Sequence, residues 1–317
     1  MITQHLNTDL SQPFKKKMTG EEIYGPYFKP DTLLRLEQLA ATKSVDLETI
    51  GFCLREYNPF TPAPIDIIPF AHTGGDGCYF AFLTDFGYYQ DLEQAPIAFI
   101  SPSDFDKKKP HDANKLFANN IRDFLQIMMV MRSAELTRFK YLPDIDFKTE
   151  IERAKMEIEE IPNEEARKMR KQTLNVLEDN FGTFSHSNLN EYYANLYKER
   201  FEEECVPLKD GLGLKTRLGL SKSNIDFTQK DVLDMALGEG NQLDRLIFYR
   251  ESAYLHEYYK DSYLGILAII AKHLDQDGFG REANIIRFEI EYRLHEKAKR
   301  EAHLKKFPDS PLHKIQY

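Results

Sequence analysis

The residue types able to do chemistry are few and scattered. His72 and His111 flank a strand-like stretch, with Asp76 and Asp112 near them in sequence. Such a set works as an acid/base pair or a metal site only if folding brings its members together, and the spacing matches no known ligand pattern. A hydrogen-bonded structural role is the ordinary expectation for each histidine. His256-Glu257 falls short of a zincin motif, because HExxH needs a second histidine where Lys260 stands. Asp275, Asp277 and Gly278 resemble the opening of a calcium loop, yet the position that should carry a bidentate acid is Ile286, so a helix-to-helix turn is expected. Cys53, Cys78 and Cys205 are odd in number and widely spaced, with no CxxC pair, which suits a reducing compartment. The glycines of Gly74-Gly75-Asp76-Gly77 suit a hairpin turn better than an anion cradle, since neither GxGxxG nor Walker spacing is present. No nucleophile, metal or cofactor is expected, and the chain reads as a non-enzyme.

Charge offers the stronger signal. The net charge of −9 over 317 residues argues against a direct nucleic-acid binder, which needs clustered Lys and Arg. Between Arg55 and Lys107 there is no Lys or Arg, while Glu56, Asp66, Asp76, Asp85, Asp91, Glu93, Asp104 and Asp106 all fall there. Acids at strand ends and loops are accessible to a partner. The expected binding set is therefore Asp76, Asp85, Asp91, Glu93, Asp104 and Asp106, with Tyr88 and Tyr89 as amphipathic anchors.

Short apolar runs separated by turn chemistry must position these residues. IDIIPFA, CYFAFLTDF and IAFIS read as strands, the first two joined antiparallel through Thr73 to Gly77. A helix capped by Asp31 precedes them, and another is expected over 114–131, where Leu116, Phe117, Ile121, Phe124, Leu125, Met128 and Met129 form a stripe. After Pro143 helical periodicity dominates. Phe147, Ile151, Ala154 and Ile158 share one face, Asn163 caps the next helix, and Thr228 with Asp231 approximates a capping box. The Gly-rich interval 210–224 reads as a long loop or strand pair. The run from Tyr263 to Leu274 reads as a buried central helix, and a last helix over 281–306 should enter solvent after Leu294. The fold class is α+β, divided into a lead-in over 1–20, an α+β domain over 21–142 and a mainly helical region over 143–317.

Three stretches, DIIPFAHTGGDGCYFAFLTDF, APIAFISPSD and KLFANNIRDFLQIMM, resemble the SUKH superfamily in order and spacing over residues 65 to 130. The resemblance implies a compact α+β protein-binding domain, in bacteria commonly an immunity protein that neutralises a toxin, often a nuclease. An acidic face suits a basic partner of that kind. Two other classes compete: a structural or regulatory adaptor working through its C-terminal helices, and a hydrolase if His72, His111 and carboxylates converge. The first twenty residues lack the apolar block of a signal peptide, and the run 263–271 is too short to cross a bilayer, so a cytoplasmic protein is expected.

Overall fold

The computed structural model describes residues 18–54, 63–74, 77–106, 109–134, 146–185, 188–202, 205–218, 230–254 and 263–307. Its centre is an antiparallel five-stranded meander: β1 (Cys53–Leu54), β2 (Ile67–His72), β3 (Tyr79–Leu83), β4 (Ile97–Ile100) and β5 (Asn114–Ala118), neighbours in that order. One row of paired positions runs His72, Tyr79, Ile100, Asn114 across β2 to β5. Thr73 N donates to Cys78 O across the β2–β3 turn at 3.1 Å.

The sequence pattern predicts one helix over 114–131, and the fold divides it. Residues Asn114–Ala118 form β5, and only Ile121–Met131 is helical (α3), capped by Asn120, which accepts from Asp123 N at 2.9 Å. Consecutive Leu116 and Phe117 resemble a helical stripe. A strand buried on both faces does not need alternation, so both fit the sheet equally well.

One face of the sheet carries an aromatic core. Phe52, Phe70 and Phe80 pack around Phe124 of α3, with Phe80 and Phe124 centroids 4.7 Å apart and Phe70 edge-on to Phe124 at 5.6 Å. α1 (Gly20–Tyr24) and α2 (Asp31–Ala41) add Ile23, Leu33 and Leu36. Pro30, not Asp31, takes the N-cap position of α2, and Asp31 lies in the first helical turn, where its charge suits the helix dipole.

The C-terminal helices follow their caps. α4 (Phe147–Glu159) begins at Asp146, α5 (Glu164–Phe181) at Asn163, and α8 (Gln242–Ser252) at Asn241, each cap accepting from backbone N–H groups of the first turn. α6 (Leu189–Glu202), a helix the sequence reading lacks, leads into a small ladder of β6 (Cys205–Val206) and β7 (Leu214–Lys215). α7 (Lys230–Glu239), α9 (Leu264–Gln276) and α10 (Gly280–Lys306) complete the described helices. Thr228 lies outside the described residues.

Residues on both sides of position 142 share both cores. Leu174, Leu177, Tyr192, Tyr193 and Phe288 join the core of the sheet, while Ile65 and Phe86 join a second core built on α7 to α10. α9 is not buried all round: Leu264, Ile266 and Ile269 are half-exposed. Nor does α10 leave the body at Leu294, since His295 is buried and its neighbours over 289–298 are half-buried. Among the described residues no helix is long and apolar enough to cross a membrane.

Candidate functional site

The loop after β3 is the most constrained segment of the sheet. Asp85, Phe86 and Gly87 are all left-handed, with φ of 48°, 49° and 84°. For two residues with Cβ atoms that conformation costs roughly 1–2 kcal/mol each, so surrounding contacts must enforce it. Thr84 supplies one anchor, donating from N and Oγ1 to Asp66 O at 3.1 and 2.7 Å. Phe86 supplies another, packing against Tyr249 and Phe279 in the second core. Asp85 supplies the third through its carboxylate.

That carboxylate belongs to a buried ion network. Arg200 of α6 donates to Asp85 Oδ2 from Nη1 at 2.6 Å and to Asp85 Oδ1 from Nη2 at 2.8 Å. Its remaining bonds reach Leu212 O and Gly213 O. Arg250 of α8 donates from Nη1 to Asp66 Oδ2 and Asp85 Oδ1, both at 3.0 Å, and from Nε to Asp210 Oδ2 at 2.8 Å. Asp210 Oδ1 accepts from Leu212 N and Gly213 N. Asn114 Nδ2 extends the network to Asp210 O and Tyr254 OH.

Local sequence explains how charges enter the interior. Arg250 continues the apolar face of α8 set by Leu243, Leu246 and Ile247, and Arg200 that of α6 set by Tyr192, Tyr193 and Leu196. The turn that carries Asp210 presses tightly on its surroundings. Gly211 has φ of 76°, and a Cβ there would lie 2.7 Å from His111 Cβ. Burial works against both guanidinium charges, but Asp85 beside Arg200, and Asp210, Asp66 and Asp85 beside Arg250, hold each above its ordinary value. Burial pushes Asp66 up to about 6, against the opposing pull of Arg250. The five charged members are at most 3% exposed, so a dissolved substrate has no access to them; the network's work is to clamp sheet to helices.

The fold corrects the expected acidic face in two ways. Asp85 is buried and paired, because its left-handed loop turns the carboxylate inward, so it faces no partner. The remaining acids do not share one surface, because a meander sends successive loops to opposite ends of its sheet. Asp91 and Glu93 lie on the β3–β4 loop, while Asp104 and Asp106 lie beyond the far end of β4, roughly 13 Å of strand away. Asp76 lies outside the described residues.

At the first end Asp91 is exposed, and Glu93 is half-exposed, accepting from Thr32 N at 3.2 Å and from Thr32 Oγ1. Tyr88 and Tyr89 are half-buried and edge-on to each other, with Arg217 over the Tyr88 ring at 5.2 Å. At the other end Asp104 accepts from Ser101 Oγ at 2.8 Å, and the backbone O of Asp106 accepts from Lys109 N at 2.9 Å.

Sequence reasoning missed Phe28 altogether. It is 89% exposed, on the α1–α2 loop, and both sides of it are tied to the β3–β4 loop: Tyr27 OH lies beside Thr84 and Gly87, and Thr32 holds Glu93. Asp31, three residues on, is exposed, as is Asp91 on the β3–β4 loop, while the nearby Lys29 is paired with Glu37 at 2.9 Å.

The other sites stay apart. His72 and His111 fall at the same end of the sheet, but the row from His72 to Asn114 crosses three strand spacings, on the order of 14 Å. His72 Nδ1 accepts from Gly74 N at 3.0 Å, and His111 is beside Asp112 at 3.6 Å. Asp275 lies in the last turn of α9 and Asp277 caps its C-terminus; Asp277 is held by Arg245 at 2.7 and 2.8 Å and Asp275 by Arg287. His256 and Glu257 lie outside the described residues. Cys205 has a cationic neighbour that its local sequence does not reveal, Arg200, but burial dominates and pushes the thiol up. Among the described residues no group of three or more His, Cys, Asp or Glu is placed to hold a metal ion.

No protein-family model, curated protein or solved structure matches this chain.

Proposed function

We propose that this chain is a non-enzymatic, cytoplasmic protein-binding module, most specifically an immunity-type protein that neutralises a basic toxin. The observation that carries the reading is Phe28: a phenyl ring 89% exposed on the α1–α2 loop, which is tied through Tyr27 and Thr32 to the β3–β4 loop that carries Asp91 and Glu93. An exposed aromatic anchor on a tethered loop, with exposed acids on the loop it is tethered to, suits a binding hot spot with a polar periphery. Opposite charge on the partner would then raise the association rate and exclude acidic competitors. Partner contacts are assigned to Phe28, Asp31, Tyr88, Asp91 and Glu93. The test is growth rescue. Expression of this chain should restore growth to a host making the toxic product of the gene beside its own, and Phe28→Ala should abolish rescue while leaving the chain folded. Toxicity that persists beside well-expressed protein, or an adjacent product that is not toxic, defeats the immunity reading.

One observation favours the adaptor reading as an alternative. Leu264, Ile266 and Ile269 leave α9 with a half-exposed apolar face, which self-association would cover. Light scattering across a concentration series separates the two, since the immunity reading requires no self-association.

A further inference from the structure

The buried network contains three carboxylates, Asp66, Asp85 and Asp210, against two guanidiniums, Arg200 and Arg250. An excess negative charge in a buried interior is costly, and the simplest relief is uptake of one proton. Hydrogen bonding decides where that proton goes. Asp85 accepts two bonds from Arg200 and one from Arg250, and Asp210 accepts one from Arg250 and two from backbone N–H groups. Asp66 accepts one, on Oδ2, from a nitrogen that it shares with Asp85. Its Oδ1 is buried without a hydrogen-bond partner among the described residues, as is Nη2 of Arg250.

We infer that Asp66 is the proton-binding site of the network, and that its protonation in mildly acidic surroundings strengthens the clamp between sheet and helices. The charged and titratable groups around it come from every packed element: Arg250 from α8, Asp85 from the β3–β4 loop, Asp210 from the turn before β7, Glu282 with its partner Arg281 from α10, and Tyr27 from the α1–α2 loop. Of these only the two arginines favour the ionised form, and Arg250 alone reaches the carboxylate while dividing its charge among three acids. The upward displacement of Asp66 to about 6 agrees in direction with this geometry.

The sign of the linkage is unusual for an aspartate. Its folded value lies above its ordinary 3.8, so its contribution is fully present below about 3.8 and is lost as pH rises towards about 6. Ordinary surface carboxylates act in the opposite sense, and a variant is needed to isolate this one.

The experiment uses the full chain and its Asp66→Asn variant, whose amide oxygen can still accept from Arg250 Nη1. Urea unfolding at pH 4.5, 5.5, 6.5 and 7.5 should show the wild type losing stability relative to the variant as pH rises, by about tenfold or more in the unfolding constant. Backbone-correlated carboxyl carbon NMR of the wild type should show Asp66 titrating well above the other aspartates. Parallel pH profiles for the two proteins overturn the inference. Should the variant not fold, the carboxyl titration decides alone: a proton taken up near neutrality by Glu282 or Asp85, or an Asp66 that titrates below 4, overturns it equally.

Discussion

Arg200 closes on Asp85 through two parallel hydrogen bonds, 2.6 Å from Nη1 and 2.8 Å from Nη2, joining residues 115 positions apart. Both side chains are buried, so the pair is not the screened surface contact that contributes little. Removing one partner leaves the other charged and dry. Arg200→Met should cost about 3–5 kcal/mol by urea unfolding. Adding Asp85→Asn to Arg200→Met should restore part of that, because the double variant no longer strands a charge. A single-variant cost below about 1 kcal/mol would mean that water reaches the pair.

Two glycines separate backbone strain from steric crowding. Gly278 has φ of 87° with nothing within 4 Å of a built Cβ, so Gly278→Ala should cost only the left-handed penalty of about 1–2 kcal/mol. Gly211, with φ of 76°, would also drive its Cβ to 2.7 Å from His111 Cβ. Gly211→Ala should therefore be the more damaging of the two in thermal unfolding. Equal losses would show that the Asp210 turn yields easily.

Much of the fold was legible because its signals are local. The runs at 67–72, 79–83 and 97–100 declare strands by length and composition, and Asn163 declares a helix start by its position before a periodic stretch. β5 was not legible, since covering both faces of the sheet removes the alternation that distinguishes strand from helix. The ion network was hidden for a different reason. Asp66 and Arg250 stand 184 positions apart, and no window of sequence contains both. A signal did exist: Arg200 and Arg250 sit on otherwise apolar helix faces, and Arg281 does the same ahead of Ile285 and Phe288. A long cation in such a register requires a buried acid. The eight acids between Arg55 and Lys107 looked like one surface because charge counting ignores which end of the sheet each loop visits.

Thiol labelling checks the burial of the three cysteines. Cys53 is half-buried at the sheet edge, whereas Cys78 and Cys205 are buried, the latter also displaced upward by that burial. A thiolate-directed reagent should modify Cys53 first under native conditions and the other two only with unfolding. Native modification of Cys205 at the rate of Cys53 would show that the β6–β7 ladder opens.

The binding surface yields the last prediction, and the two ends of the sheet supply its control. With the cognate partner in hand, Phe28→Ala should weaken binding at least tenfold, mostly through faster dissociation, as loss of a central aromatic anchor does. Folding stability should change by no more than about 0.5 kcal/mol, because the ring is almost wholly in water already. Asp91→Lys should instead slow association and steepen less with added salt, since an exposed charge steers the encounter over about a Debye length of 8 Å. Glu93 is a poorer probe, because it also holds Thr32 at the start of α2. Asp106→Lys, at the opposite end of β4, carries the same change of charge on an exposed residue. If net charge alone governed association, Asp91→Lys and Asp106→Lys would slow it equally. If the surface around Phe28 is the interface, only Asp91→Lys will act strongly, and the reverse ranking would move the interface to the β4–β5 end.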